Sequence, residues 1–150
     1  MTAIDLTDLV KTTSVPQLPP DAFLLFTDGF GRWWPRGTHS VGREHSAAVT
    51  FPSAIGDAII ETLDDGSTAS WGTVTEYAPP RAVEFTWHPG SAPDEATTVR
   101  VTFEPSGAGT LVTLTHSGWD RRTDGHRARD EYDRGWDVVI GCFAEADAAA

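Results

Sequence analysis

The chain is poor in cysteine and in positive charge. Of 150 residues one is cysteine, one is methionine, and Lys11 is the only lysine. Cys142 alone cannot close an internal disulfide and offers no thiolate cluster to a metal. Basic side chains total 11 against 22 acidic ones, a formal net charge of −11. Such a surface repels a phosphate backbone or an anionic membrane on average. The one adjacent basic pair, Arg121 and Arg122, is flanked by Asp120 and Asp124. Long apolar runs are missing too, since no segment approaches the ~18 residues of a membrane-spanning helix. The opening MTAIDLTDLVK has no basic start followed by an apolar stretch, so it does not read as a signal peptide. Nucleic acid and membrane insertion are therefore excluded as expectations, and the expected address is cytoplasmic. There is no GxSxG elbow, P-loop or dinucleotide fingerprint. The closest pair among the histidines at 39, 45, 88, 116 and 126 is His39 and His45, whose spacing suits neither one helical face nor a standard loop site. Neither metal nor cofactor is expected.

What is present belongs to a folded protein: 39% hydrophobic and 22% charged residues, in a length that suits one domain over residues 1–150. Ile4 to Val15 has strand-like content. Pro16, Pro19 and Pro20 then read as breakers. Asp21 to Thr27 has the compact apolar content of a short helix, and Phe30 to Trp34 that of a second one stopped by Pro35. From Ser46 the period becomes two. Ala47, Val49 and Phe51 alternate, as do Ile59, Glu61 and Leu63, and Asp65-Gly66 is a hairpin turn. A strand from Thr68 to Tyr77 ends at Pro79-Pro80. Val83, Phe85 and Trp87 share a face opposed by Glu84, Thr86 and His88. Val99, Val101 and Phe103 repeat the pattern, and so do Val112, Leu114 and His116. Short, regular turn spacing predicts an antiparallel meander.

From about Asp124 to Asp147 the pattern changes again. Tyr132, Trp136, Val139, Ile140, Phe143 and Ala146 fall on one helical stripe, with Gly135 at its edge and Arg129 also on it. The predicted helix is ~30 Å long, enough to cross a sheet. A one-sided antiparallel sheet must cover its apolar face, and this helix is the element long enough to do so. The expected fold is α+β of the helix-grip type: a curved antiparallel sheet around a long C-terminal helix, with two short helices after the first strand.

Four blocks carry a family resemblance: AFLLFTDGFGRWWPRGTHSV (22–41), WGTVTEYAPPRAVEFTWHPG (71–90), TLVTLTHSGWD (110–120) and YDRGWDVVIGCF (132–143). In order and spacing the chain resembles the SRPBCC superfamily of START lipid-transfer domains, birch-pollen-allergen proteins and aromatic polyketide cyclases. Within it, the chain is most similar to the bacterial branch named after the activator of heat-shock-protein-90 ATPase. The resemblance implies a cavity between sheet and helix. Fold alone does not fix what such a cavity does.

Candidate cavity residues follow from phase. Phe26, Phe30 and Trp34 lie in the capping segment, where one of the two adjacent tryptophans, Trp34, is expected to be half exposed. Phe85, Trp87 and Phe103 belong to the inner sheet face, and Tyr132, Trp136 and Phe143 to the helix; each also reads as ordinary core. His116 and Glu61 point inward, and Arg129 is the candidate partner of that carboxylate. Together these three would form the polar end of a chamber for an amphipathic ligand. Cys142 reads as a small apolar filler. The leading expectation is a protein that binds a small hydrophobic or amphipathic molecule without clear catalytic machinery, with a homodimer left open. The alternatives are a cyclase-like enzyme using His116 and Glu61 on an enolisable ring, and a co-chaperone-like ATPase activator. For the last, the chain lacks room for the second domain that the resemblance implies.

Overall fold

Alternation of period two makes the sheet, and the computed structural model, which describes residues 5–146, shows where it holds. In chain order the elements are β1 (Leu9–Val15), α1 (Pro19–Phe26), α2 (Phe30–Trp33), β2 (Ser46–Thr50), β3 (Ala58–Leu63), β4 (Thr68–Ala78), β5 (Ala82–Trp87), β6 (Thr97–Ser106), β7 (Gly109–Ser117) and α3 (Gly125–Glu145). The strands form one antiparallel sheet of seven, in the order β1-β7-β6-β5-β4-β3-β2. A meander thus runs from β2 to β7, and β1 returns to pair with β7 at the far edge. On β6 and β7 the inward residues Thr97, Val99, Val101, Phe103, Thr110, Val112, Leu114 and His116 are all buried. The sheet curls around α3, the helix-grip arrangement that the alternation and the helical stripe predict.

Register slips flank β4 on both sides. Its pairing with β3 slips between Ile59 and Ile60, and its pairing with β5 slips between Val74 and Glu76. Such bulges bend a strand and increase its twist. Gly72 sits at the first of them, and a Cβ there would lie 1.8 Å from the Thr86 carbonyl oxygen. Only glycine lets β5 come this close.

Several details differ from expectation. The first strand starts at Leu9, and Ile4, like the predicted helix end at Asp147, lies outside the described residues. Pro19 and Pro20 open α1 instead of breaking the chain. Their missing N–H groups fall in the first turn, where no helical acceptor exists for them. Ala47 is exposed because β2 carries a bulge between Ser46 and Ala48, which takes it out of phase with Val49. His88, expected outward, is buried, and its Nδ1 lies 3.1 Å from the Ser91 carbonyl oxygen.

Trp33 and Trp34 are both buried, at 7% and 6% exposure, so the half-exposed Trp34 is corrected. The cause is Pro35. A residue before proline is driven to extended backbone, and Trp34 adopts φ −62°, ψ 129°. It has therefore left the helix, and its ring is free to turn inward beside that of Trp33. Among the described residues, no helix is long and apolar enough to cross a membrane.

Candidate functional site

Rings fill most of the space between sheet and helix. Phe26 touches Phe30, Trp33, Phe51, Phe103 and Phe143 at centroid distances of 5.3 to 6.3 Å. Phe85 packs on Phe51 at 5.3 Å, and Phe143 on Trp33 at 5.2 Å. Such pairs add ~0.5–1.5 kcal/mol each beyond their buried area. Phe26, Phe30, Phe85, Phe103 and Phe143 therefore form solid core and do not border open space.

A cavity of about 530 Å³ lies at one end. Three stretches enclose it. Trp34, Thr38 to Val41 and Arg43 come from the segment after α2, and Trp87 with Pro89 to Ser91 from the end of β5 and its loop. Ala128, Glu131, Tyr132, Gly135, Trp136 and Val139 come from α3, with Arg122 just before it. The α3 residues recur at three- and four-residue spacing, so one helical face looks into the cavity. Four of the expected residues meet here: Trp34, Trp87, Tyr132 and Trp136. Trp34 stands 5.7 Å from Trp87 and 5.9 Å from Trp136, and Trp87 is 5.6 Å from Trp136. Gly135 lies in the middle of this face. Its nearest neighbour across the gap is His39, 3.9 Å from where a Cβ would be, so the glycine leaves room and makes no close backbone contact.

The three ionisable groups expected to converge do not. The Arg129 guanidinium bonds to the carbonyl oxygen of Thr7 at 2.6 Å and to Asp5 at 3.3 Å, stapling the N-terminal segment to α3. Glu61 finds other partners. Its carboxylate accepts the amides of Val41 and Gly42 at 2.9 and 3.0 Å and the Trp71 indole at 2.9 Å. Burial opposes its charge, but these donors outweigh that penalty and hold the carboxyl below its usual pKa. A Cβ at Gly42 would lie 3.1 Å from the carboxylate and 2.1 Å from Leu63, so glycine permits the clamp. Glu61 thus fixes the segment that walls the cavity without lining it.

His116 sits behind the cavity wall. Its Nδ1 accepts the Trp136 indole N–H at 2.9 Å. Because an indole only donates, the ring proton must be on Nε2, which lies 2.6 Å from the Thr97 hydroxyl. That hydroxyl donates in turn to the Trp87 carbonyl oxygen at 3.2 Å. Both ring nitrogens are occupied, and protonating Nδ1 would set two donors against each other. Burial, with a smaller contribution from the charge on Arg122, pushes the imidazole pKa down to about 3. His116 orients Trp136, and it shares no hydrogen bond with Glu61. The acid–base pair expected of a cyclase is not assembled.

No period in the sequence marks the loop residues 38–41, 43 and 89–91, or Arg122, because irregular segments carry none. Nor does one mark Trp119, which is fully buried and whose indole bonds to the His116 carbonyl oxygen at 3.1 Å. Among the described residues, no group of three metal-ligating side chains occurs.

A curled antiparallel sheet gripping a C-terminal helix defines the SRPBCC class of fold. Within that class the chain belongs to the activator of Hsp90 ATPase homolog 1-like family, whose model matches residues 19–146. Solved structures agree. The Aha1 dimer from Colwellia psychrerythraea is 20% identical, with a TM-score of 0.68 over 93% of this chain and 95% of that one. The protein MLL2253 from Mesorhizobium loti is 18% identical, with a TM-score of 0.66 over 93% and 95% of the two chains. An anthrahydroquino-gamma-pyrone synthase, Txn09, is 27% identical, with a TM-score of 0.63 over 95% and 98%. No curated protein matches the chain.

Proposed function

We propose that this chain acts as a single domain that binds a small, planar, largely apolar molecule in the cavity walled by Trp34, Trp87 and Trp136. The observation that carries this reading is the cavity's own make-up. Indole rings offer large contact area at little entropy cost, and about 530 Å³ is within the usual range for small-molecule sites. Binding is the function proposed because His116, the one inward histidine on the sheet, is committed to Trp136 and Thr97.

A fluorescent aromatic probe should quench tryptophan emission on binding, with a negative heat-capacity change. Gly135→Phe, which places a ring into the gap facing His39, should abolish the quench while the fold is kept. Probe binding that is unchanged in Gly135→Phe, or absent in the parent, would sink the proposal.

A second reading, an enzyme acting on a polycyclic or enolisable substrate, is favoured by the likeness to Txn09 across nearly the whole of both chains. Turnover of such a substrate by purified protein would establish it. Self-association is a separate proposal that rests on the dimer of the Colwellia protein; sedimentation as a monomer at all concentrations would overturn it.

A further inference from the structure

Resting on the cavity reading above, we infer that the site selects aromatic ligands carrying an anionic or strongly accepting oxygen on one edge, such as a carboxylate, phenolate or enolate. Tyr132 and Arg122 would receive that oxygen.

Tyr132 lines the cavity, and its hydroxyl accepts the Trp87 indole N–H at 3.1 Å. An indole cannot take a hydrogen bond back, so the phenolic proton remains to be given away. Among the described residues it has no acceptor. Burial raises the phenol's pKa and so keeps the group in its donor form. The ring is 6.1 Å from Trp136 at an interplanar angle of 30°, so it continues the aromatic wall of the cavity.

Arg122 supplies the charge. Its Nε and Nη2 hold the two oxygens of Asp124 at 2.8 and 3.1 Å. The third nitrogen, Nη1, has no partner among the described residues, and the side chain is only 14% exposed. The fork is therefore anchored on one side and unfilled on the other. One acidic side chain also borders the cavity, Glu131; it is largely exposed to solvent and lies 3.6 Å from Arg127. Of the other ionisable residues lining the cavity, His39 and Arg43 bring no negative charge, while Asp124 and Glu95 act on Arg122 from outside the lining. A half-buried phenol with an unspent proton and a half-used guanidinium lining the same cavity make a receptor for an acceptor oxygen. Hydrogen bonds to ionised groups are roughly twice as strong as neutral ones.

Three probes on one ring system test this: naphthalene, 2-naphthoate and 2-naphthylmethylammonium, titrated by tryptophan quenching and calorimetry. The parent protein should bind 2-naphthoate at least about tenfold tighter than naphthalene, and the ammonium weakest. Tyr132→Phe should narrow the naphthoate-to-naphthalene ratio by about tenfold; the ratio is the readout because loss of the Trp87 partner bears on both ligands alike. Arg122→Gln, at the cavity rim, should narrow the same ratio and weaken its salt dependence, which covers the case in which Tyr132→Phe fails to fold. Equal affinity for naphthalene and naphthoate, or a ratio unmoved in both variants, overturns the selectivity and leaves the cavity reading standing. No saturable binding of any of the three overturns the cavity reading itself.

Discussion

Acid should unfold this protein earlier than its carboxylates require, through one side chain. In the folded state His116 takes up a proton only near pH 3, against an ordinary value of 6.5. Once unfolded it protonates normally, so below pH 6.5 the unfolded chain binds a proton that the folded one refuses. Stability is then complete above that pH and falls as the pH drops toward 3. Each full pH unit inside that window costs about 1.4 kcal/mol, so at pH 5 the loss from this group alone is about 2 kcal/mol. The window separates it from the shifted carboxylates. Asp5, Glu61, Asp65, Asp124 and Asp133 are all held below their ordinary values of 3.8 or 4.5, so their contributions are lost at lower pH. Urea unfolding followed by tryptophan fluorescence at about pH 7.5, 6 and 5 measures the slope directly. His116→Gln, less stable at neutral pH, should lose about 2 kcal/mol less than the parent over the same interval. Parent and variant showing the same pH slope would refute the neutral, doubly bonded histidine.

Three other outcomes follow from named contacts. Gly141 lies within α3, and a Cβ added to it would meet nothing within 4 Å, so Gly141→Ala should gain the helix preference of about 1 kcal/mol, a rise in Tm of about 2–4 °C; an unchanged or lower Tm would show that this helix face is covered. Glu61→Gln sets an amide against one of three donors and should cost about 1–3 kcal/mol. Hydrogen exchange at the Val41 and Gly42 amides should quicken with it, and unchanged exchange would show that the carboxylate does not hold the segment. Apolar ligands should still bind a His116→Gln protein that remains folded, more weakly, since only the orientation of Trp136 is disturbed; loss of all binding with the fold intact would give His116 a direct role.

Much of the architecture can be read in phase alone. Val99, Val101, Phe103, Val112, Leu114 and His116 alternate without interruption, and the paired strands β6 and β7 obey. The stripe Tyr132, Trp136, Val139, Ile140, Phe143 likewise became α3 with its ends displaced by a residue or two. Phase fails when partners must be assigned. Arg129 shares a stripe with Trp136, yet a helix stripe has length as well as direction, and Arg129 lies near the end that meets Thr7. Glu61 is inward as expected, but its partners are backbone amides, which no side-chain pattern reveals. The cavity was partly visible because Trp34, Trp87, Tyr132 and Trp136 are aromatic. Its other walls come from loops whose conformations depend on Pro35, on Glu61 and on the turn at Ser91. Proline spacing foretold a break near residue 20, whereas the backbone used the same prolines to begin a helix.

The pairing of β1 with β7 also has a consequence for the order of assembly. Leu9 lies opposite His116, about a hundred residues later in the chain. On a ribosome the first strand emerges early and finds no partner until the last strand has been made. Contacts this distant in sequence are slow to form, so the meander can organise while its outer edge at β7 is still bare. An unpaired edge is a template for another chain. During synthesis the nine-residue β7 is thus an edge until residues 9–15 dock, and that docking passes the edge to the shorter, seven-residue β1.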